Sequence, residues 1–101
     1  MRIFEWYVQQ VRSNKWMELE ELNIRFDAIE KRYGVPPKRR YVSMAGAFDE
    51  NTLVVAREWE SLAAAEATYE KLLADPEYTR LMEESKAILK ATRRELYTVL
   101  S

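Results

Sequence analysis

Residues 2–11, Arg-Ile-Phe-Glu-Trp-Tyr-Val-Gln-Gln-Val, are rich in aromatic and β-branched side chains and predict a strand. A period of two places Phe4, Trp6 and Val8 on one face and Ile3, Glu5, Tyr7 and Gln9 on the other. The first set is wholly apolar and is expected to pack on helices; the second is mixed and should face something less uniform. The period then changes. Leu19, Leu22, Phe26, Ile29 and Tyr33 follow one another at intervals of 3 and 4, which predicts a helix. Ser13-Asn14 offers side-chain oxygens to its first N–H groups. Glu18, Glu20 and Glu21 suit the positive end of the helix dipole, and Lys31 and Arg32 the negative end. Gly34 and Pro36-Pro37 stop it.

Arg40 to Phe48 and Thr52 to Trp59 read as a second and third strand joined by a turn at Asp49-Glu50-Asn51. Pairing Phe48 with Thr52 sets Ser43 opposite Arg57 and Tyr41 opposite Trp59. Ser61 then caps a helix with Leu62, Ala65, Tyr69 and Leu72 on one side, and Asp75-Pro76 starts another. Tyr78, Leu81, Ser85, Ile88 and Thr92 carry that second helix stripe, with Lys86, Lys90, Arg93 and Arg94 at its end. Leu96 to Leu100 closes the chain as a last strand. The fold class expected is therefore α+β: a ferredoxin-like βαββαβ plait with an antiparallel sheet and a broken second crossover helix.

Composition narrows the chemistry more than the fold. At 101 residues, 48% hydrophobic and 33% charged, the chain suits one domain spanning residues 1–101. It contains neither cysteine nor histidine, so thiolate nucleophiles, Ser-His-Asp triads and imidazole-ligated zinc or haem are excluded. Carboxylates alone do not fall at calcium-loop spacing, and no metal or other cofactor is expected. A net charge of −1 argues against nucleic acid as a partner. The apolar runs are far too short for a membrane span, and Met1-Arg2-Ile3-Phe4-Glu5 meets a carboxylate too soon for a signal peptide. The expected location is the cytoplasm.

In this topology helices cover one face of the sheet. If Glu5, Tyr7 and Gln9 point away from them, the predicted register adds Tyr41, Ser43, Ala45, Leu53, Val55, Arg57 and Trp59, with Tyr97 and Val99 from the last strand. Such a face is too apolar for a monomer to leave wet, and a twofold copy of the chain is the expected cover. Glu5 and Arg57 should lie on neighbouring strands, either as a ligand clamp or proton acceptor, or as an ion pair that satisfies itself. Lys38-Arg39-Arg40 with Arg57 offers an anion site at the strand mouth; its plainer reading is a solvated loop.

The stretch Arg57-Glu58-Trp59-Glu60-Ser61-Leu62, the Ala-rich helix after it, and Ala74-Asp75-Pro76-Glu77-Tyr78 resemble the NIPSNAP-like branch of the dimeric α/β-barrel superfamily, as does the opening strand with Glu5. That resemblance implies two sheets facing each other across a homodimer, each protomer keeping a pocket between sheet and helices. Some members of the superfamily are cofactor-free monooxygenases and some bind or degrade haem; the missing histidine weighs against the latter here. The function expected is a homodimeric barrel domain binding a small apolar or aromatic ligand, with Glu5, Tyr7, Tyr41, Ser43, Arg57, Trp59 and Tyr97 as candidate ligand-binding residues. A cofactor-independent monooxygenase-like enzyme and a structural or protein-interaction module stand as alternatives, and whether the domain is an enzyme is left open.

Overall fold

A computed structural model describes residues 1–46 and 51–101. The elements run β1 (Ile3–Val11), α1 (Trp16–Arg32), β2 (Lys38–Val42), β3 (Thr52–Trp59), α2 (Leu62–Leu73), α3 (Pro76–Ser85) and β4 (Leu89–Thr98). The strands form one antiparallel sheet in the order β2-β3-β1-β4, the α+β ferredoxin-like plait that the sequence predicts. No helix among the described residues is long and apolar enough to cross a membrane.

Local chemistry accounts for most boundaries. Ser61 accepts a hydrogen bond from the Ala64 N–H at the start of α2, and Asp75 accepts one from the Glu77 N–H before Pro76 opens α3. α1 ends with Gly34 at φ 67°, where the N–H groups of Val35 and Gly34 reach back to the carbonyls of Glu30 and Lys31. Its start differs from expectation. Asn14 takes a left-handed φ of 64° that its short side chain tolerates, and the helix begins after Lys15 with no side-chain cap.

Two longer departures matter more. The stripe through Ile88 and Thr92 does not continue α3: the chain tightens at Lys86, Ala87 and Ile88 through bonds to carbonyls three residues back, then enters β4 at Leu89. β1 offers it an open edge, and strand pairing along Ile3–Val11 outweighs helical propensity. β2 begins at Lys38 and pairs Lys38 with Arg57 and Tyr41 with Val54, so the expected register of Ser43 on Arg57 and Tyr41 on Trp59 is corrected. The slip is by an odd number of residues, which turns every β2 side chain to the other face relative to β3. The expected Phe48–Thr52 pair and most of the turn at Asp49-Glu50-Asn51 lie outside the described residues.

The core sits between the sheet and the helices, with Leu19, Leu22, Ile29, Leu72 and Leu81 against Val11, Leu53 and Leu89. Leu72 and Leu81 are wholly buried. Leu72→Ala is expected to cost about 2–5 kcal/mol, the lost transfer energy plus the cavity left behind. Urea denaturation checks it; a loss under about 1 kcal/mol would mean that the site collapses to fill the space.

Candidate functional site

The side chains of β1 divide the other way from expectation. Glu5, Tyr7 and Gln9 face the helices, and Phe4 and Trp6 face away. Glu5 is almost fully buried, which a lone carboxylate does not tolerate; here it is surrounded by donors. The Tyr69 hydroxyl from α2 reaches both carboxylate oxygens at 2.9 and 3.0 Å, and the Trp59 indole N–H donates at 3.1 Å. Arg94 Nε on β4 approaches at 3.0 Å, and its guanidinium lies over the Tyr69 ring. Arg57, directly opposite Glu5 on β3, places Nη1 3.8 Å away.

Arg57 is equally enclosed. It donates to Glu30 of α1 at 2.7 Å and to the Pro36 carbonyl at 3.0 Å. Glu30 also holds Lys38 at 2.9 Å; Lys38 reaches Asp27 at 3.2 Å; Asp27 takes both terminal nitrogens of Arg40. A chain of alternating charges thus runs Arg94, Glu5, Arg57, Glu30, Lys38, Asp27, Arg40, from one edge strand across the sheet and onto α1. Burying ions is costly, and attraction offsets that cost only where the remaining donors and acceptors are also paired. Glu5 and Arg57 meet that condition.

Between this chain and α1 and α3 lies a cavity of about 150 Å³, walled by Leu19, Leu22 and Phe26 from α1 and Met82 from α3, with Tyr7 and Gln9 on its floor. A wider hollow of about 400 Å³ opens between α2 and β4, lined by Leu62, Leu73 and Leu96 and sharing Tyr69 and Arg94 with the first. Convergent polar groups together with apolar walls mark the first as the candidate site. Burial, and next the charge of Glu5, push the Tyr69 hydroxyl well above the usual phenol range; burial and then Glu30 push Tyr78 up to about 12. Both phenols are therefore neutral donors at physiological pH. The lone pairs of Glu5 are already engaged, so its geometry suits it to fixing Tyr69 rather than to taking a proton from a ligand.

Of the sequence candidates, Glu5, Tyr7 and Arg57 come together at this cavity, and Trp59 supports it through Glu5. Their expected place on the uncovered face is corrected. Leu53 and Val55 also turn toward the helices, since they pair with Gln9 and Tyr7. Tyr41 and Tyr97 do lie on the uncovered face, and Ser43 donates its backbone N–H to Thr52 just past β2. That face carries a row of rings: Tyr41 stacked on Trp6 at 6.4 Å, Trp6 against Phe4 at 5.8 Å, and Phe4 against Tyr97 at 6.5 Å. Tyr69, Glu30, Arg94 and Gln9 escaped the sequence reading as site residues. Only Tyr69 left a signal there, a hydroxyl within an otherwise apolar helix stripe.

Acid is expected to loosen the periphery of the site. Burial opposes charge on Asp27, but the hydrogen bond from Arg40 and the fields of Lys38 and Arg40 outweigh it and hold the carboxyl below its ordinary 3.8. The Tyr33 hydroxyl, then the Glu77 N–H, do the same for Asp75. Both folded values are depressed, so their stabilisation is present above the ordinary value and is lost as pH falls through the lowered ones. The urea midpoint should drop between about pH 5 and about pH 2; a flat profile would show that these bonds add nothing.

No protein-family model matches the chain, and no curated protein matches it. Solved structures do. A NIPSNAP family protein from Agrobacterium tumefaciens superposes with a TM-score of 0.83 at 15% identity, covering 97% of this chain and 92% of that one. An uncharacterized NIPSNAP-like domain protein from Burkholderia xenovorans gives 0.80 at 19%, covering 99% and 86%. An antibiotic biosynthesis monooxygenase gives 0.74 at 14%, covering 98% and 99%. The fold is thus the ferredoxin-like plait of NIPSNAP family proteins, in agreement with the resemblance seen in the sequence.

Proposed function

We propose that the chain is a homodimeric α/β-barrel domain that binds a small apolar or aromatic ligand between its sheet and its helices. The observation that carries this reading is the cavity itself, with apolar walls on α1 and α3 facing a polar side that includes Glu5, Tyr7 and Arg57. Its volume of about 150 Å³ gives room for a body of about one aromatic ring. The dimer rests on the other face, where Phe4, Trp6, Tyr41 and Tyr97 have no helix over them among the described residues and Tyr41 and Tyr97 are about half exposed. A second copy laying its own aromatic row on this one removes that surface from water with a single twofold axis.

Native mass spectrometry of gently purified protein tests both halves together. The expected species has about twice the 12.0 kDa chain mass, with a small retained adduct. A monomer at micromolar concentration would sink the dimer, and an adduct that survives loss of the cavity walls would sink the site. A cofactor-independent monooxygenase is the second reading, favoured by the likeness to the antibiotic biosynthesis monooxygenase. On this chain it would use Tyr7, Arg57 and Tyr69 to hold the substrate, and oxygen uptake with a bound phenol would be its signature.

A further inference from the structure

The chain of ion pairs begins and ends on an arginine. Among the described residues, Arg94, Arg57, Lys38 and Arg40 are set against Glu5, Glu30 and Asp27, so this chain of ion pairs carries one positive charge in excess. Two polar atoms of residues that line the cavity, Arg40 Nε and Gln9 Oε1, lack a partner among the described residues and are closed off from solvent. Arg40 gives both terminal nitrogens to Asp27, which leaves Nε–H as a donor with nothing to bond. Such orphans cost about 1–3 kcal/mol each, and a small turn of either side chain toward the cavity would let a bound group satisfy it. An amide oxygen accepts and a guanidinium N–H donates, so together they suit a group that offers both an acceptor and a hydrogen, or an anion and an ordered water.

We propose that the ligand of this cavity is a monoanion built on a single ring or a short apolar body, drawn by the surplus positive charge and taking the Arg40 Nε–H once that side chain turns toward it. This rests on the cavity reading above and specifies its ligand class. The apolar walls Leu19, Leu22 and Phe26 take the body, while the surplus positive charge selects the acid over its neutral analogue. A carboxylate and an ionised phenol share this chemistry. The basic run Lys38-Arg39-Arg40 contributes through its alternation: Lys38 and Arg40 turn to the cavity, whereas Arg39 pairs with Ala56 on the other face.

Isothermal titration calorimetry of the intact protein with benzoate, benzyl alcohol and 4-nitrophenolate is the test. Benzoate or 4-nitrophenolate should bind at least about tenfold more tightly than benzyl alcohol, a difference of about 1.4 kcal/mol. Which of the two anions binds better identifies the acid. Arg40→Met should erase that preference, with benzyl alcohol losing far less affinity than either anion. Arg40→Lys, which keeps the charge beside Asp27 but lacks Nε, should retain only part of the preference and serves if Arg40→Met does not fold. Equal binding of benzoate and benzyl alcohol overturns the anion proposal and leaves the cavity reading standing. If none of the three probes binds, the cavity reading fails and the proposal with it.

Discussion

Glu5→Leu is expected to cost about 3–5 kcal/mol of stability, the range for removing one partner of a buried ion pair. The side chain that replaces the carboxylate offers nothing to the Trp59 indole, the Tyr69 hydroxyl or Arg94, all of which bond Glu5 now. Arg57 keeps Glu30 and the Pro36 carbonyl, so the damage concentrates on the α2 and β4 side of the network. Glu5→Gln keeps one acceptor oxygen but turns an N–H₂ toward those donors, and should lose less. Urea titrations of the two variants read the difference directly. A loss under about 1 kcal/mol for the leucine variant would mean that water already solvates the carboxylate.

In the proposed dimer, Trp6→Glu should act on assembly and not on the site. Trp6 lies in the middle of the aromatic row, between Phe4 and Tyr41, on the face opposite the cavity. Aromatic anchors at the centre of an interface carry about 2–4 kcal/mol each, so dimer dissociation should strengthen by roughly 30- to 1,000-fold. Sedimentation equilibrium is the check, with benzoate titration alongside it. A variant that stays as dimeric as the parent would move the interface elsewhere; one that dissociates but binds as before separates the roles of the two faces.

These two variants turn on the feature that the sequence pattern misplaces. Element order, the third strand, both caps at Ser61 and Asp75, and the Glu5–Arg57 pairing all follow from local signals: spacing, capping chemistry and strand adjacency. The faces of β1 do not. Its wholly apolar set, Phe4, Trp6 and Val8, has the composition of a core, yet the helices cover the set that contains Glu5 and Gln9. The carboxylate is tolerable there only because Tyr69, Arg94 and Arg57 converge on it from α2, β4 and β3, and nothing local to residues 3–9 announces partners so far along the chain. Register in β2 failed for a related reason. Lys38 and Arg40 read as solvated loop until Glu30 and Asp27 of α1 are seen to neutralise them.

Polar residues in an enclosed face are costly, and a plait can be held together with apolar ones at similar volume. The network therefore makes more sense as a scaffold than as a source of stability: it fixes Tyr69 and Arg57 in place and leaves the buried Arg40 Nε without a partner among the described residues. The aromatic row on the opposite face is the complement, a run of rings flanked on the same face by Arg39, Glu58, Arg93 and Glu95.

Chemical-shift mapping by NMR on the isotopically labelled protein, titrated with benzoate, tests this division of labour most directly. Perturbations should centre on Tyr7, Gln9, Arg40 and the facing turns of α1, with Phe4, Trp6, Tyr41 and Tyr97 unmoved and already broadened as an interface. Perturbations centred instead on the aromatic row would contradict the account, placing the ligand where the second copy is expected.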